Sequence, residues 1–181
     1  LETVEMSYVD HRVPNANVLG GDDGVGQGRR YALSALELGR INIAARAVGV
    51  AQAAFEAAMA YAQHRETFGR PIFEHQAVQF RLAEMATKLQ AGRLMTYDAA
   101  RRADEGERVD MEAGMAKLFA SEAAFEIATE ALRIHGGNGY TTEFPVERYF
   151  RDTPLMIIGE GTSEIQKMVI ARKLLERYPA E

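Results

Sequence analysis

Apolar side chains recur every three, four or seven residues along most of the chain, which is the spacing of an amphipathic α-helix. A first helix is predicted from about Arg29 to a break at Thr67–Pro71, and a second ends near Asp104. A third is predicted from Asp110, taken as its N-cap, to the glycines that begin at Gly136. The periodic apolar positions are Ile41, Ala45, Val48, Phe55 and Met59, then Val78, Leu82, Met85 and Leu89, then Met115, Phe119, Ala123, Ile127 and Ile134.

A shorter fourth helix is predicted over Glu164–Arg177. Ser163 followed by Gln166 has the spacing of a capping box, which would start this helix. Before it, Val146–Phe150 is predicted to be a short turn within an irregular stretch. Three long helices and a shorter fourth, joined by brief loops, predict an all-α fold, a four-helix up-and-down bundle.

Residues 1–20 show a different pattern, an alternation of apolar and polar positions that is typical of a strand followed by a turn. A single strand has no partner in this chain, so we expect it to be the tail end of a middle β domain that is missing upstream. Residues 21–28 are predicted to be a glycine-rich linker, and residues 29–181 the helical bundle domain. Because the chain begins at Leu1, we expect it to be a piece of a longer protein.

The composition argues against several classes of protein. The 181 residues carry a net charge of −5 with acids and bases interspersed, which disfavours nucleic acid as the principal partner. The lack of cysteine excludes disulfides, cysteine-ligated zinc and a thiol nucleophile. No signal peptide or apolar run of bilayer length is evident, so we expect no membrane span. We expect a cytoplasmic location, or the mitochondrial matrix if the protein is eukaryotic.

A metal centre is also disfavoured by the sequence. Di-metal carboxylate bundles place a glutamate three residues before a histidine on inward-facing helices. The four histidines, His11, His64, His75 and His135, all lack this glutamate. We therefore expect no metal site.

The candidate chemistry lies near the end of the chain, where Glu160 stands between Gly159 and Gly161 just before the fourth helix. Glycines permit unusual backbone angles and the close approach of another molecule, and the N-terminus of a helix is electropositive. Taken alone, the acid is interpreted as a solvated turn residue. Further polar motifs also lie at helix ends, where each alone would serve as a cap but where together they suit a phosphate-bearing ligand.

Six short motifs follow one another in the chain at a characteristic spacing. They are Leu38-Gly39-Arg40, Arg65-x-Thr67-Phe68-Gly69, Glu74-His75-Gln76, His135-Gly136-Gly137-x-Gly139-Tyr140, Arg151-Asp152 and Glu160-Gly161-Thr162-Ser163-Glu164-Ile165-Gln166. In this order they resemble the C-terminal helical domain of the acyl-CoA dehydrogenases, and the resemblance covers essentially the whole chain.

The resemblance implies a flavoenzyme that desaturates an acyl-CoA thioester between Cα and Cβ. It assigns Glu160 as the catalytic base that takes the α-proton, while hydride passes from Cβ to N5 of FAD and electrons pass to an electron-transferring flavoprotein. Relatives with a relocated base carry an acid where this chain has Gly39, which supports Glu160 as the base. Many members carry tyrosine where this chain has Gly159, so we expect a branched or bulky acyl group.

The resemblance also implies the binding residues. Contacts with FAD, made largely to a neighbouring subunit and therefore implying a homo-oligomer (a dimer or tetramer), would come from Arg65, Glu66, Thr67, Phe68, His75 and Gln76. The adenine and pyrophosphate side would be completed by Arg133, Ile134, His135, Gly136, Gly137, Thr162, Ser163 and Glu164. The acyl-CoA substrate would contact Glu37, Leu38, Gly39, Arg40, Gly161 and Arg172.

Two alternatives stay open at this point. A relative on the same scaffold, such as an acyl-CoA oxidase or a nitroalkane oxidase, would share the fold, although the latter favours aspartate at the position of Glu160. A helical bundle can also serve as a non-catalytic oligomerisation module. Because the family's other domains hold much of the flavin, we expect the 181-residue chain by itself to be colourless and inactive.

Overall fold

Four long helices carry the fold in the structure, a computed structural model that describes residues 4–180. Two short helices and a small hairpin lie in the connections. The all-α, four-helix up-and-down bundle predicted from the periodicity is confirmed, with the four long helices close to their predicted bounds. The helices are α1 (Gly28–His64), α2 (Gln76–Asp104), α3 (Asp110–His135), α4 (Val146–Asp152), α5 (Pro154–Ile158) and α6 (Ser163–Arg177).

The polypeptide divides into two compact units, of which the first ends at Leu36. In this unit residues 4–14 form no regular element, and single 3₁₀ turns follow at Asn15–Asn17 and Gly21–Gly24. The strand predicted in residues 1–20 is therefore not formed within the described part of that segment, and its first three residues lie outside the described range. An extended segment without a neighbouring strand has no ladder to join, so its origin in an upstream β domain stays a prediction.

The second unit, from Glu37 onward, contains a core in which α1 contributes almost only alanine. A methyl side chain leaves little between two helix backbones, so a stripe of alanines allows close helix packing. The buried alanines of α1 recur every three or four residues, at Ala44, Ala47, Ala51, Ala54, Ala58 and Ala62.

Close packing also joins α2 to α3. A Cβ atom added at Gly92 would meet Cα and Cβ of Ala120 at 3.6 Å, so the two backbones touch at ordinary van der Waals distance. Around this point Leu82, Met85 and Leu89 of α2 are buried in the same cluster as Ile127 of α3. Leu82, Met85, Leu89 and Ile127, all predicted apolar positions, therefore share one core.

The break between α1 and α2 is a β-hairpin of two short strands, β1 (Glu66–Thr67) and β2 (Arg70–Pro71). Its loop residues, Phe68 and Gly69, both have positive φ, at 53° and 79°. Two successive positive φ angles characterise the type I′ turn, whose twist matches that of the strands it joins. The break predicted at Thr67–Pro71 is confirmed, and it is an ordered turn.

Two helix starts differ from the sequence prediction. The N-cap of α3 is Val109, and Asp110 is instead the first helical residue, where its charge suits the electropositive end of the helix. The capping box of Ser163 and Gln166 is wrong as well. The N-cap of α6 is Thr162, whose hydroxyl accepts a hydrogen bond from the Ile165 N–H at 3.4 Å.

The stretch between α3 and α6 is more ordered than predicted. The residues predicted as a short turn at Val146–Phe150 belong to α4, and α5 follows it with Pro154 at its first position. Proline suits the start of a helix because its missing N–H would have no intrahelical partner there. These two short helices lead directly into the segment that contains Glu160.

The helix α1 is long and apolar enough, by length and composition, to cross a membrane. The sequence prediction of no bilayer-length apolar run is therefore not met by this criterion. Its alanine stripe gives a second explanation, since the core helix of a bundle has the same composition.

Candidate functional site

Glu160 lies in the four-residue connection between α5 and α6. It is half-buried and has φ of 56°, in the left-handed region, and Gly161 follows with φ of 94°. The left-handed conformation is strained for a residue with a side chain, and such strain persists where the surroundings impose it. Within residues 4–180 no acceptor pairs with the Glu160 N–H.

The Glu160 carboxylate lies against α1 at Gly39. A Cβ atom added at Gly39 would stand 2.5 Å from Oε2 and 2.8 Å from Cδ of Glu160, closer than such atoms approach. The missing side chain at this position therefore makes the space that the carboxylate occupies. The structure brings together the predicted base and one of its predicted substrate neighbours.

The sequence reasoning missed the two side chains that hold this connection in place. Lys117 of α3 donates from Nζ to the carbonyl oxygens of Ile157, at 2.7 Å, and Gly161, at 2.8 Å. Gln166 of α6 donates from Nε2 to the carbonyl oxygens of Glu160 and Gly161, both at 3.0 Å. Lys117 and Gln166 are both fully buried. We call this pair of donors the loop clamp.

The electrostatics of the loop clamp centre on Lys117. Burial lowers the pKa of its ammonium from the ordinary value, and Arg40 lowers it further, while Glu122 and Glu164 oppose the shift. A signal for this lysine was present in the sequence. It stands three residues before Ala120 on the stripe of α3 that faces the core, where a charged residue is exceptional.

The predicted cofactor residues Thr162, Ser163 and Glu164 lie at the same end, at the start of α6. The Ser163 hydroxyl donates to Glu122 Oε1 at 2.6 Å, which ties α6 to α3. The Glu164 carboxylate has its pKa lowered first by its own backbone N–H and then by the Thr162 hydroxyl. Thr162 therefore belongs to the connection that the loop clamp holds, and Ser163 and Glu164 follow it as the first residues of α6.

The remaining predicted substrate residues have different surroundings. Glu37 accepts the Val109 N–H at 2.8 Å, so one oxygen of this carboxylate satisfies the start of α3. The Arg40 Nε is buried and has no hydrogen-bond partner among residues 4–180. Leu38 and Arg172 are exposed.

A second group of predicted residues gathers around the hairpin. His75 Nδ1 accepts from Arg70 at 3.2 Å, so its Nε2 carries the proton and donates to the Thr67 hydroxyl at 3.0 Å. The Phe68 side chain, at the tip, is 97% exposed, and its ring stands edge-on to the His75 ring. Gln76 begins α2 and is exposed.

The end of α3 faces this hairpin. His135 is buried, stacks on Tyr61 with ring centres 4.2 Å apart, and meets Phe144 edge-on. Its Nδ1 donates to the Ala131 carbonyl oxygen at 2.8 Å, and burial lowers the pKa of the ring despite that bond. Arg133 is exposed and pairs with Glu130.

Two depressions lie beside the hairpin. One, of about 350 Å³, is bounded by Arg65, Thr67 and the segment from Ile134 to Asn138. The other, of about 270 Å³, is bounded by Phe68, His75 and Arg133 among others. Residues predicted to bind one cofactor thus line this region, which we call the hairpin surface.

The predicted cofactor residues are therefore divided between two places. Lys117 beside the Glu160 connection and His135 at the hairpin surface are 18 residues apart on α3, or about 27 Å at the rise of an α-helix. Within residues 4–180, no group of three or more His, Asp or Glu side chains is placed to hold a metal ion.

Comparison with known proteins gives the family of this chain. Residues 26–175 match the family described as "Acyl-CoA dehydrogenase, C-terminal domain". A probable acyl-CoA dehydrogenase of Bacillus subtilis is 51% identical over 96% of the chain, and a 3-(aryl)acrylate reductase of Clostridium sporogenes is 48% identical over 96%. A chain in the structural study of the electron-transferring flavoprotein of Acidaminococcus fermentans superposes with a TM-score of 0.82 at 44% identity, covering 86% of this chain and 40% of that one.

The match covers less than half of each of these two relatives. The chain spans 45% of the length of each of the two curated relatives. The matched region nevertheless includes all six sequence motifs, the loop clamp and the hairpin surface. The chain belongs to the acyl-CoA dehydrogenase family, as a C-terminal helical domain of that family.

Proposed function

We propose that this chain supplies the catalytic base and part of the flavin site of an FAD-dependent acyl-CoA dehydrogenase, with Glu160 removing the α-proton of an acyl-CoA thioester. The observation that carries the proposal is the half-buried Glu160 carboxylate in the space left by Gly39, on a residue held at positive φ. A carboxylate so constrained, in a protein of this family, is suited to proton transfer from one fixed direction.

The backbone of the same residue supports the proposal. An α-proton of a thioester becomes acidic only when the developing charge on the thioester oxygen is stabilised by fixed hydrogen-bond donors. The Glu160 N–H has no acceptor within residues 4–180, while the carbonyl groups around it are turned inward to the loop clamp. The N–H is thus free to donate to the thioester oxygen while the carboxylate takes the proton.

A bound substrate would also shield Glu160 from solvent. Closing a site around its substrate expels water and prevents side reactions. Glu160 is half-buried, so an acyl chain lying over it would complete the exclusion of water. The acid then receives the proton and holds it on one carboxylate oxygen beside Gly39.

The hairpin surface fits an extended anionic ligand such as FAD. It combines the exposed guanidinium groups of Arg65 and Arg133, the hydroxyl of Thr67 and the exposed ring of Phe68, and arginine suits phosphate through its planar set of donors. Bound FAD would supply the acceptor for the hydride that leaves the β-carbon. Thr162, Ser163 and Glu164 would contact the flavin near the base.

The separation of the two regions supports a homo-oligomer. One rigid helix places them about 27 Å apart, and Phe68 extends from a strained turn with its side chain 97% exposed among residues 4–180. We propose that each hairpin surface contacts the flavin of a neighbouring subunit. Electron transfer to an electron-transferring flavoprotein belongs to the same proposal, supported by the structural match to a study of that partner.

The acyl group is proposed to be branched or bulky because no side chain extends from Gly159 beside the base. A Cβ atom there would stand 3.2 Å from the Leu155 carbonyl oxygen and 3.8 Å from Ile43 Cδ1. The 3-(aryl)acrylate reductase relative is named for an aryl-bearing substrate. A preference for unbranched butyryl-CoA in a substrate panel would contradict this part of the proposal.

The test of the base is Glu160→Gln in the holoenzyme that contains this chain. General bases contribute about 10²- to 10⁴-fold to rate, so acyl-CoA-dependent bleaching of the flavin should slow by that factor while flavin content stays unchanged. Glu143→Gln, at an exposed acid outside both regions, is the matched control. Bleaching at the normal rate in Glu160→Gln would remove Glu160 from this role.

A further inference from the structure

Lys117 is unusual among the charged residues of this chain because it is fully buried. Its Nζ lies 2.7 Å from the Ile157 carbonyl oxygen and 2.8 Å from the Gly161 carbonyl oxygen. These two carbonyls lie three residues before Glu160 and one residue after it. A single ammonium on α3 therefore bridges the end of α5 to the start of α6 across the proposed base.

The bridge acts where the backbone is under strain. Glu160 and Gly161 both have positive φ, and a connection of this kind relaxes unless its carbonyls are held. Gln166 holds two of them, and the Gly161 carbonyl oxygen accepts from both Gln166 and Lys117. Without Lys117, the Ile157 carbonyl oxygen would lose its side-chain donor and the strained residue would be held from one side only.

Burying this ammonium is costly for stability. The desolvation of a charged group is unfavourable even when hydrogen bonds and nearby carboxylates repay part of it, and an apolar residue of the same shape is often as stable or more so. Here burial lowers the pKa of Lys117 and Glu122 and Glu164 offset the shift only partly. A buried lysine at this position is better explained by the two carbonyl groups that it holds than by a contribution to the stability of the fold.

We propose that Lys117 is a positioning residue for Glu160, fixing the backbone on both sides of the base so that the carboxylate stays beside Gly39 and the N–H faces the substrate. The inference rests on the proposed function, which assigns the proton transfer to Glu160. Lys117 itself touches no reacting atom. Its effect passes through two carbonyl groups of the connection.

The experiment compares Lys117→Met with Lys88→Met in the holoenzyme. Methionine keeps the length of the side chain and removes both donors, and Lys88 is an exposed lysine of α2 that pairs with Glu126 and lies outside both regions. A displacement of about 1 Å in a reacting group costs about 100-fold in rate. We expect Lys117→Met to lower kcat by about 10- to 100-fold with a much smaller change in KM, and Lys88→Met to leave both unchanged.

Hydrogen–deuterium exchange provides a readout that does not depend on activity. In Lys117→Met, amides of residues 157–161 should exchange faster, while the rest of α3 and the thermal midpoint stay as in the parent protein. Normal kcat and normal exchange in this segment would overturn the proposal. A fall in activity that only follows a fall in folded protein would overturn it too, because a purely structural lysine predicts that result.

A second variant and the base variant separate the two proposals. Lys117→Gln retains one donor group, and it should recover part of kcat relative to Lys117→Met if holding the carbonyls is what matters; equal activity of the two variants would count against the inference. If Glu160→Gln keeps full bleaching, the proposed function fails on that variant alone. The exchange of residues 157–161 then still decides whether Lys117 holds the connection, and unchanged exchange overturns it.

Discussion

The two ends of the bundle that carry the predicted residues are built in opposite ways. Around Glu160 the polar groups are buried and paired, with Lys117, Gln166 and Ser163 all engaged by main-chain carbonyls or a carboxylate. At the hairpin surface the tip residue is almost fully exposed on a turn that its side chain does not favour. One region is pre-arranged by its own chain, whereas the other leaves its tip residue exposed.

The two regions differ in the interactions that oppose the backbone strain of a residue with positive φ. The strain at Glu160 is opposed by hydrogen bonds inside the same molecule, so it is present whether or not a ligand binds. At Phe68 nearly all of the ring is exposed, so the strain is opposed by the strand pairing of the hairpin and not by packing of the ring. A variant that relaxes the first should impair chemistry, and one that relaxes the second should stabilise the free chain.

Gly39→Ala tests the first region, and its expected effect on rate is larger than that of a change at the hairpin surface. The new Cβ would meet the Glu160 carboxylate at 2.5 Å, and the flexible carboxylate would move away. We expect kcat of the holoenzyme to fall by about 10- to 100-fold without loss of stability, since alanine favours helix over glycine by up to about 1 kcal/mol. Steady-state kinetics and thermal unfolding of the same preparation measure both effects.

Gly49→Ala is the matched control for that variant. It lies on the same helix, and nothing stands within 4 Å of a Cβ added there. It should gain the same helix stability of up to about 1 kcal/mol and keep full activity. Equal kinetics in the two alanine variants would show that the space at Gly39 is not needed by Glu160.

Phe68→Asn tests the second region. Asn-Gly is the preferred loop of a type I′ turn because asparagine tolerates positive φ, so chemical unfolding should show the chain stabilised by about 1 kcal/mol. Under the proposed function the same variant should release flavin more readily from the holoenzyme. Phe80→Asn makes the same chemical change at an exposed position inside α2, and it should bring no stabilisation.

The smallest effect is a pH dependence of stability caused by His135. Burial lowers the pKa of this ring below its ordinary 6.5, so below that pH the unfolded chain binds a proton that the folded chain does not. The free energy of unfolding should therefore fall as pH decreases through 6.5 and be unaffected by this group above it. Denaturant unfolding from about pH 8 to about pH 5 should show a weaker fall in His135→Phe.

Phenylalanine at this position can still stack on Tyr61, so the comparison isolates the titration from the packing. The variant loses the hydrogen bond to the Ala131 carbonyl oxygen, which lowers its stability by the same amount at every pH. The test therefore rests on how steeply the free energy of unfolding changes with pH. Parallel pH profiles for the two proteins would rule out His135 as the source.

The sequence was sufficient for the helices because their periodic apolar positions are a local property. It was insufficient at helix starts, where the choice is made by distant residues. Thr162 and Ser163 are both suitable N-caps, and the choice depends on Glu122, which binds the Ser163 hydroxyl from 41 positions away. The same holds for Gln166, whose spacing fits a capping box but whose amide binds the Glu160 connection.

The same holds for the candidate site, where the sequence predicted some residues and the others required the structure. The motifs led to Glu160 and to the hairpin, but neither periodicity nor motif spacing indicated that Gly39 leaves the space for the carboxylate. Lys117 stands on the apolar stripe of α3 but belongs to none of the six motifs, so motif spacing does not single it out. The separation of the cofactor residues into two places also required the structure, since α3 sets their distance.

The alanine stripe of α1 has a consequence for how this domain can change over evolutionary time. Gly39 and Tyr61 stand on that one helix, 22 residues or about 33 Å apart. Inserting a single residue between them would turn everything beyond it by about 100° around the helix axis. It would also push alanines out of the close contact and larger residues into it. Insertions and deletions should therefore be rare within this helix, and homologues should vary in length only in the connections.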